Sequence, residues 1–218
     1  MTPDYESAAI KAMELLKEKK ITETPVDPLQ VMLGRPHVRV VPFTRMAADA
    51  GMERSDLVPL FEGNQDAATF ILDSIQDVRY VVVYNMRLPC EIVRRAIARE
   101  LGHIVLGHDG STRPTDVRMA EAMCFAHHLL SPRPVLHLIQ QEMPITLSIM
   151  SQTMGCSEEC VEDLQKIPGV HISPELNREI LAQFAPRIRE YMSFHRMSPM
   201  KDRSPVVDLG TFMDNYVE

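Results

Sequence analysis

Tryptophan is absent from this 218-residue chain, and only 6% of its residues are aromatic. A core without large rings is filled by aliphatic side chains, and fifteen methionines supply adaptable ones. No stretch approaches the roughly 18 consecutive apolar residues of a membrane-spanning helix. The opening Met1-Thr2-Pro3-Asp4 also lacks the basic-then-apolar order of a secretory signal. Positive charge is scarce: 23 Lys and Arg face 30 Asp and Glu, a formal net charge of −7. Phosphate neutralisation needs clustered cations, so the balance argues against nucleic acid and against an anionic membrane surface. The basic run 17–20 lies beside Glu14 and Glu18 and reads as a solvated helix face. A soluble, cytoplasmic protein is expected.

Closely spaced cysteines are scarce too. Of Cys90, Cys124, Cys156 and Cys160, only the last two are near neighbours. Three residues separate them, where a thiol-redox or zinc-knuckle motif has two. Four free thiols in a reducing compartment is the reading, with Cys156 and Cys160 sharing a face if that segment is helical.

What is present is ordinary for a globular protein, with 45% hydrophobic and 24% charged residues in a chain long enough to bury a core. Ala8, Ala9, Ala12, Leu15 and Leu16 fall at helical spacing over 7–19. Pro25-Val26-Asp27-Pro28 opens a second short helix with Asp27 as its N-cap, ending near Gly34. Strands are expected over 38–43, 69–72 and 78–84, the last being β-branched and aromatic throughout. The stretch 45–65 is polar and mixed, and reads as loop with at most a short helix. Helices follow over 91–106, stopped by Gly107 and Gly110, and over 115–130, closed by Ser131-Pro132. Beyond that the pattern is helical and interrupted by Pro144, Pro168, Pro174, Pro186 and Pro199, with a Pro- and Asp-containing tail after Met197. Leu176, Ile180, Leu181 and Phe184 form a core-facing stripe. The expected architecture is α+β, a domain over 1–132 followed by a helical region over 133–218.

The stretch that carries chemistry is Ala98-Arg99-Glu100-Leu101-Gly102-His103-Ile104-Val105-Leu106-Gly107-His108. In an H-E-x-x-H helix, two histidines four apart hold zinc and the Glu after the first polarises the attacking water. Here Glu100 stands at the base position and His103 at the second-histidine position, while Arg99 occupies the first.

The surroundings strengthen the pattern. Val83-Tyr84-Asn85 precedes this helix, and Ala122-Met123-Cys124-Phe125-Ala126-His127-His128-Leu129-Leu130-Ser131-Pro132 follows it. Together with the Pro25-Val26-Asp27-Pro28 opening, these segments resemble the ImmA/IrrE metallopeptidase family from about residue 8 to 165. The resemblance implies a zincin-like fold, zinc as cofactor, Glu100 as catalytic base and His103 as a metal ligand. It also implies a third ligand at the position of Met119 and a supporting Asn at the position of Met123. A cation thus replaces the first ligand, a thioether the third, and an apolar group the supporting amide.

Neighbouring residues do not offer themselves as replacements on helical geometry. Glu121 lies about 200° around the axis from Met119 and is expected to face elsewhere. His127 lies roughly 12 Å further along that helix. His108 follows an expected helix end at Gly107, at a position that is usually not a ligand in the family. Without metal, Glu100 is expected to pair with Arg99, Arg95 or another buried cation, and His103 to be a satisfied polar group in the old cleft.

Residues 145–164 resemble a helix-turn-helix with Gly155 at the turn, but its second helix offers Glu158, Glu159, Glu162 and Asp163, which repel phosphate. It is read as packing.

The preferred function is a regulator that grips a repressor-type protein or peptide partner, with zinc peptidase activity lost or reduced and no cofactor. The alternative is an active zinc-dependent endopeptidase that cleaves a repressor of a mobile element or stress regulon, with Glu100 and His103 at work. A purely structural interaction protein is the third reading.

Overall fold

A run of β-branched residues needs burial on both sides, and Val81, Val82 and Val83 obtain it within Val78–Tyr84, the central strand of a three-stranded sheet. In the computed structural model, which describes residues 1–32, 34–61, 66–72, 78–142, 146–159, 162, 167 and 170–197, β1 is His37–Pro42, β2 is Ala67–Ile71 and β3 is Val78–Tyr84. The order is β1-β3-β2. β1 runs parallel to β3, with Val40 opposite Val82, and β2 runs antiparallel to it, with Thr69 opposite Val82. The alternation of β3 splits its valines between two clusters. Val82 joins the main core, whereas Val81 and Val83 pack with Val41, Phe43 and Ala47 on the other face.

That second face is covered by α3, Phe43–Ala50, which lies in the stretch expected to be mostly loop. Two apolar anchors four apart, Phe43 and Ala47, are enough to seat one helical turn on the sheet, and Gly51 closes it in the left-handed region at φ 64°. α4, Arg54–Leu57, and a 3-10 turn at Val58–Phe61 follow. The mixed polarity that concealed α3 reflects its exposure: apart from Met46, which is half-buried, only Phe43 and Ala47 are withdrawn from solvent.

The other face carries the larger helical layer. α1 is Tyr5–Glu18, begun by Asp4, whose Oδ1 accepts from the Ser7 amide at 3.0 Å. α2, Pro28–Met32, starts at Asp27 as expected, the carboxylate accepting from the Leu29 amide at 2.9 Å. α5 is Cys90–Val105, α6 is Thr115–Leu130, and α7 is Arg133–Glu142. α8 is Leu147–Met154, capped by the Thr146 hydroxyl and closed by Gly155. α9, Pro174–Met197, brings Ile180, Phe184 and Ile188 into the same core as Ala8, Ala12, Leu16, Ile97, Leu101, Phe125 and Leu129. The stripe read at Leu176, Ile180, Leu181 and Phe184 is therefore core. The architecture is α+β.

Pro174 opens α9, as a first-turn proline should. Pro186 corrects the expectation of an interruption, because α9 continues through it. Ile180 and Phe184 before it and Ile188 and Met192 after it are all buried, so packing on both sides offsets the roughly 3 kcal/mol cost of an internal proline. Pro144, Pro168, Pro199, Cys160 and the tail after Met197 lie outside the described residues. So does most of the expected second helix of the 145–164 pattern, and Cys156 lies in the turn before it. Among the described residues no helix is long and apolar enough to cross a membrane.

Candidate functional site

α5 and α6 approach closely because Gly102 has no side chain. A Cβ built there would lie 3.0 Å from the Ala122 carbonyl oxygen and 3.1 Å from Phe125 Cδ1. A cavity of about 440 Å³ lies between the two helices and β2. Glu100, His103 and Ile104 line it from α5, Thr115, Arg118 and Met119 from α6, and residues 67–71 from β2. Tyr80, His108 and Asp109 complete it. Among the described residues β2 pairs only with β3 in the sheet, and on its other edge the Ala67 carbonyl accepts from Arg99 and the Ala67 amide donates to Asp66.

Arg99 is not among the lining residues. Its guanidinium, only 7% exposed, turns toward the start of β2. There it meets Asp66 through two hydrogen bonds of 3.1 Å and the Ala67 carbonyl at 3.2 Å. Its Nε and Nη2 also donate to Glu100 Oε1, at 3.1 and 2.8 Å. The other Glu100 oxygen accepts from the Thr69 hydroxyl at 2.7 Å. Glu100 thus has both oxygens engaged, and the expected pairing with Arg99 is the one found. Burial opposes the Arg99 charge, but Asp66 and Glu100 outweigh it and hold the guanidinium pKa above its usual value. Of the three residues at the ligand positions the resemblance implies, His103 and Met119 line the cavity and Arg99 does not; it follows its carboxylates, because a buried guanidinium must spend its donors.

The opposite end of the cleft is built on imidazoles. The chain leaves α5 through Gly107, whose φ of 70° turns His108 back toward the helix, and a 3-10 turn, His108–Gly110, follows. His108 is buried, with its Nδ1 2.9 Å from His103 Nδ1 and its Nε2 3.1 Å from Glu121 Oε2. Glu121 also accepts from the Asp4 amide at 2.7 Å and from the Arg113 guanidinium. A carboxylate so placed accepts the His108 Nε2 proton, which leaves Nδ1 as the acceptor and makes His103 Nδ1–H the donor. Burial, with His108, Arg99 and Arg118 adding to it, pushes the His103 pKa down to about 3. Burial also lowers that of His108, against the pull of Glu121. Both rings are neutral at pH 7.

Glu121 faces elsewhere than Met119, as helical geometry implied. Met119 is 36% exposed, whereas Glu121 points inward, where His108 links it to His103. His108, Glu121, Thr69, Asp66 and Arg118 are the site residues that sequence reasoning missed. A buried glutamate on α6 is a detectable signal only once burial is known. Thr69 and Asp66 join through strand pairing that no local pattern reveals. His127 is fully enclosed on α6, its ring nitrogens have no hydrogen-bond partner among the described residues, and it is not among the residues lining the cavity.

The remaining wall is an ionic rim. Asp109 accepts from the Arg79 guanidinium and from the Tyr80 hydroxyl at 2.9 Å, and these interactions hold its pKa below the usual carboxylate value. Burial together with the same contact raises that of Tyr80. Arg118 donates to the His108 carbonyl at 3.3 Å and to Thr115 Oγ1 at 3.2 Å, tying α6 to the turn that carries His108.

An active-site helix bearing Glu100 and His103, a second helix crossing it at a glycine and an edge strand along the cleft are now in place. Residues 60–163 match the family described as the IrrE N-terminal-like domain. Over that stretch the chain is similar to the ImmA/IrrE-type family. No curated protein and no solved structure matches it significantly.

The IrrE-like domain normally depends on zinc, and its ligand positions can be tested against the residues present. Arg99 has no lone pair to give, and Met119 offers a neutral thioether, a poor donor for zinc. Among the described residues no group of three or more His, Cys, Asp or Glu is arranged to hold a metal ion. The three-donor set of the family's site does not fit this chain.

Proposed function

We propose that this IrrE-like protein acts as a binding regulator, gripping a repressor-type partner in the former peptidase cleft with zinc-dependent cleavage lost or strongly reduced. The observation that carries the reading is the arrangement of Arg99. Its guanidinium stands at the first-ligand position and satisfies Glu100 and Asp66 together. A carboxylate fixed between a guanidinium and a hydroxyl is poorly placed to take a proton from water. The cleft keeps features useful for binding. Beyond Ala67, whose backbone is engaged by Arg99 and Asp66, the edge of β2 away from β3 can accept a short extended segment by strand addition, and exposed Ile71 and Met119 offer apolar contact beside it. Cytoplasmic regulation of a mobile element belongs to the same proposal.

The experiment mixes the purified chain with a helix-turn-helix repressor encoded beside it, with and without added zinc. Capture of intact repressor under both conditions is expected. Zinc-dependent cleavage that disappears in Glu100→Gln would establish the active endopeptidase instead, a reading favoured by the presence of Glu100 and His103 in one cavity. As a check on the ligand positions, Arg99→His combined with Met119→Glu should create zinc binding that withstands dialysis against a chelator.

A further inference from the structure

Arg79, Arg99 and Arg113 each hold a carboxylate around the cleft: Asp109, the pair Asp66 and Glu100, and Glu121. Arg118 holds none among the described residues. Its guanidinium donates to two neutral acceptors, the His108 carbonyl and Thr115 Oγ1, and its Nε is buried with no partner among the described residues. We infer that Arg118 is the recognition point for an acidic side chain, aspartate or glutamate, carried by an extended peptide lying along β2. The inference rests on the binding reading above and names the chemistry that the cleft selects.

Three features support it. The first is position. Arg118 lines the cavity together with residues 67–71 of β2, so a cation stands beside the strand that an added segment would follow. Successive side chains of an added strand alternate between the two faces of the sheet. Thr69, bonded to Glu100 of α5, marks the face turned toward the helices, and every second side chain of the segment faces the cavity with it. Ile71, Ile104 and Met119 share the lining, which suits aliphatic residues two places from the acid.

The second feature is the supply of donors. A guanidinium has five N–H groups, and Arg118 spends two of them on bonds of 3.2 and 3.3 Å, at the long end of the usual range. A carboxylate offers the remainder shorter, charge-assisted bonds.

The third is the field. Arg99 and Arg118 both act on His103 as cations, and the imidazoles of His103 and His108 are bonded to each other and add no charge. The carboxylates on the lining, Glu100 and Asp109, are already engaged, by Arg99 and Thr69 and by Arg79 and Tyr80. The charge that Asp66 and Glu100 carry in excess of Arg99 repels an acid from that end of the cleft and so favours the Arg118 end.

The test measures, by fluorescence polarisation, binding of the full chain to a labelled octapeptide of alternating valine and serine, with both ends blocked and glutamate replacing a central valine. This peptide is expected to bind at least about tenfold tighter at low salt than the same peptide with glutamine, and the preference should shrink at high salt. Arg118→Gln should weaken the glutamate peptide by about tenfold and leave the glutamine peptide unchanged. Arg118→Lys should restore part of the preference, since a point charge lacks the planar fork. Arg178→Gln, at an exposed arginine on α9, should change nothing. Circular dichroism confirms that each variant is folded, and the two peptides on the unaltered protein decide the matter if Arg118→Gln does not fold. Equal binding of the two peptides, or a glutamate preference that survives Arg118→Gln in a folded protein, overturns the inference and leaves the binding reading standing. A glutamine peptide with a free C-terminal carboxylate that binds tighter than the blocked glutamate peptide assigns Arg118 to a chain end and overturns it likewise. Binding of neither peptide overturns it too; failure to capture a repressor is the separate result that removes the reading beneath it.

Discussion

One turn of α5 separates Arg99 from His103, and the two ends of the cleft they serve are stabilised by opposite means. Around Arg99 the side chains are charged and mutually neutralising, with Asp66 and Glu100 sharing one guanidinium. Around His103 they are neutral, passing a hydrogen-bond chain through His108 to a glutamate that meets its own cation, Arg113, farther out. The first end is closed, with its donors and acceptors consumed. The second remains in contact with the cavity. The comparison teaches that a buried guanidinium consumes the polar groups nearest to it, while the histidine one turn away keeps its contact with the cavity.

The sharpest way to break this contrast is to remove the cation. Arg99→Leu leaves Glu100 buried without a counter-charge and Asp66 partly so, and should cost about 3–5 kcal/mol in urea unfolding at pH 7. A loss under about 1 kcal/mol would mean that water already neutralises the closed end.

Gly102 joins the two ends, since it sets the distance between α5 and α6. Gly102→Ala forces a methyl against the Ala122 carbonyl and Phe125. Overpacking of about 1–3 kcal/mol is offset by about 1 kcal/mol of helix propensity, for a net loss of roughly 1 kcal/mol by thermal unfolding. A stabilised variant would show that the helices separate freely.

A graded effect lies in the pH profile of stability. His103 and His128 stay neutral in the fold down to about pH 3, and His108 is also lowered, whereas unfolded histidines take up protons near 6.5. The unfolded chain therefore binds more protons below pH 6.5. Stability should be fully present above that value and fall as the pH drops toward 3. The contribution of each ring is under about 1 kcal/mol at pH 6. The melting temperature between pH 7 and 5 reads this slope, and His103→Gln should flatten part of it; an unchanged slope would place the charge-sensitive step elsewhere.

The legible parts of this protein were those whose signal is local. The β-branched run at 78–84, the Asp27 cap, the alanine stripe of α1 and the glycine stops at Gly107 and Gly155 each carry their structure in a few adjacent residues. The helix bearing Glu100 and His103 was equally readable, as was the pairing of Glu100 with an adjacent arginine. The helices between residues 43 and 61 were not, because Phe43 and Ala47 become anchors only where a sheet lies beneath them. The role of Glu121 was missed because a wheel drawn for α6 alone does not contain the turn that folds His108 back against it.

By itself, then, the amino-acid sequence determined the α+β character, the likeness to the IrrE-like domain and the presence of Arg99 and Met119 where that likeness implies metal ligands, since residue chemistry and spacing belong to the chain. Only the tertiary structure decided where the displaced charges go and which histidines meet. Asp66 reaches Arg99 from 33 residues away and Glu121 reaches His108 from 13, and such partners are chosen by burial, which obliges every enclosed polar group to find one.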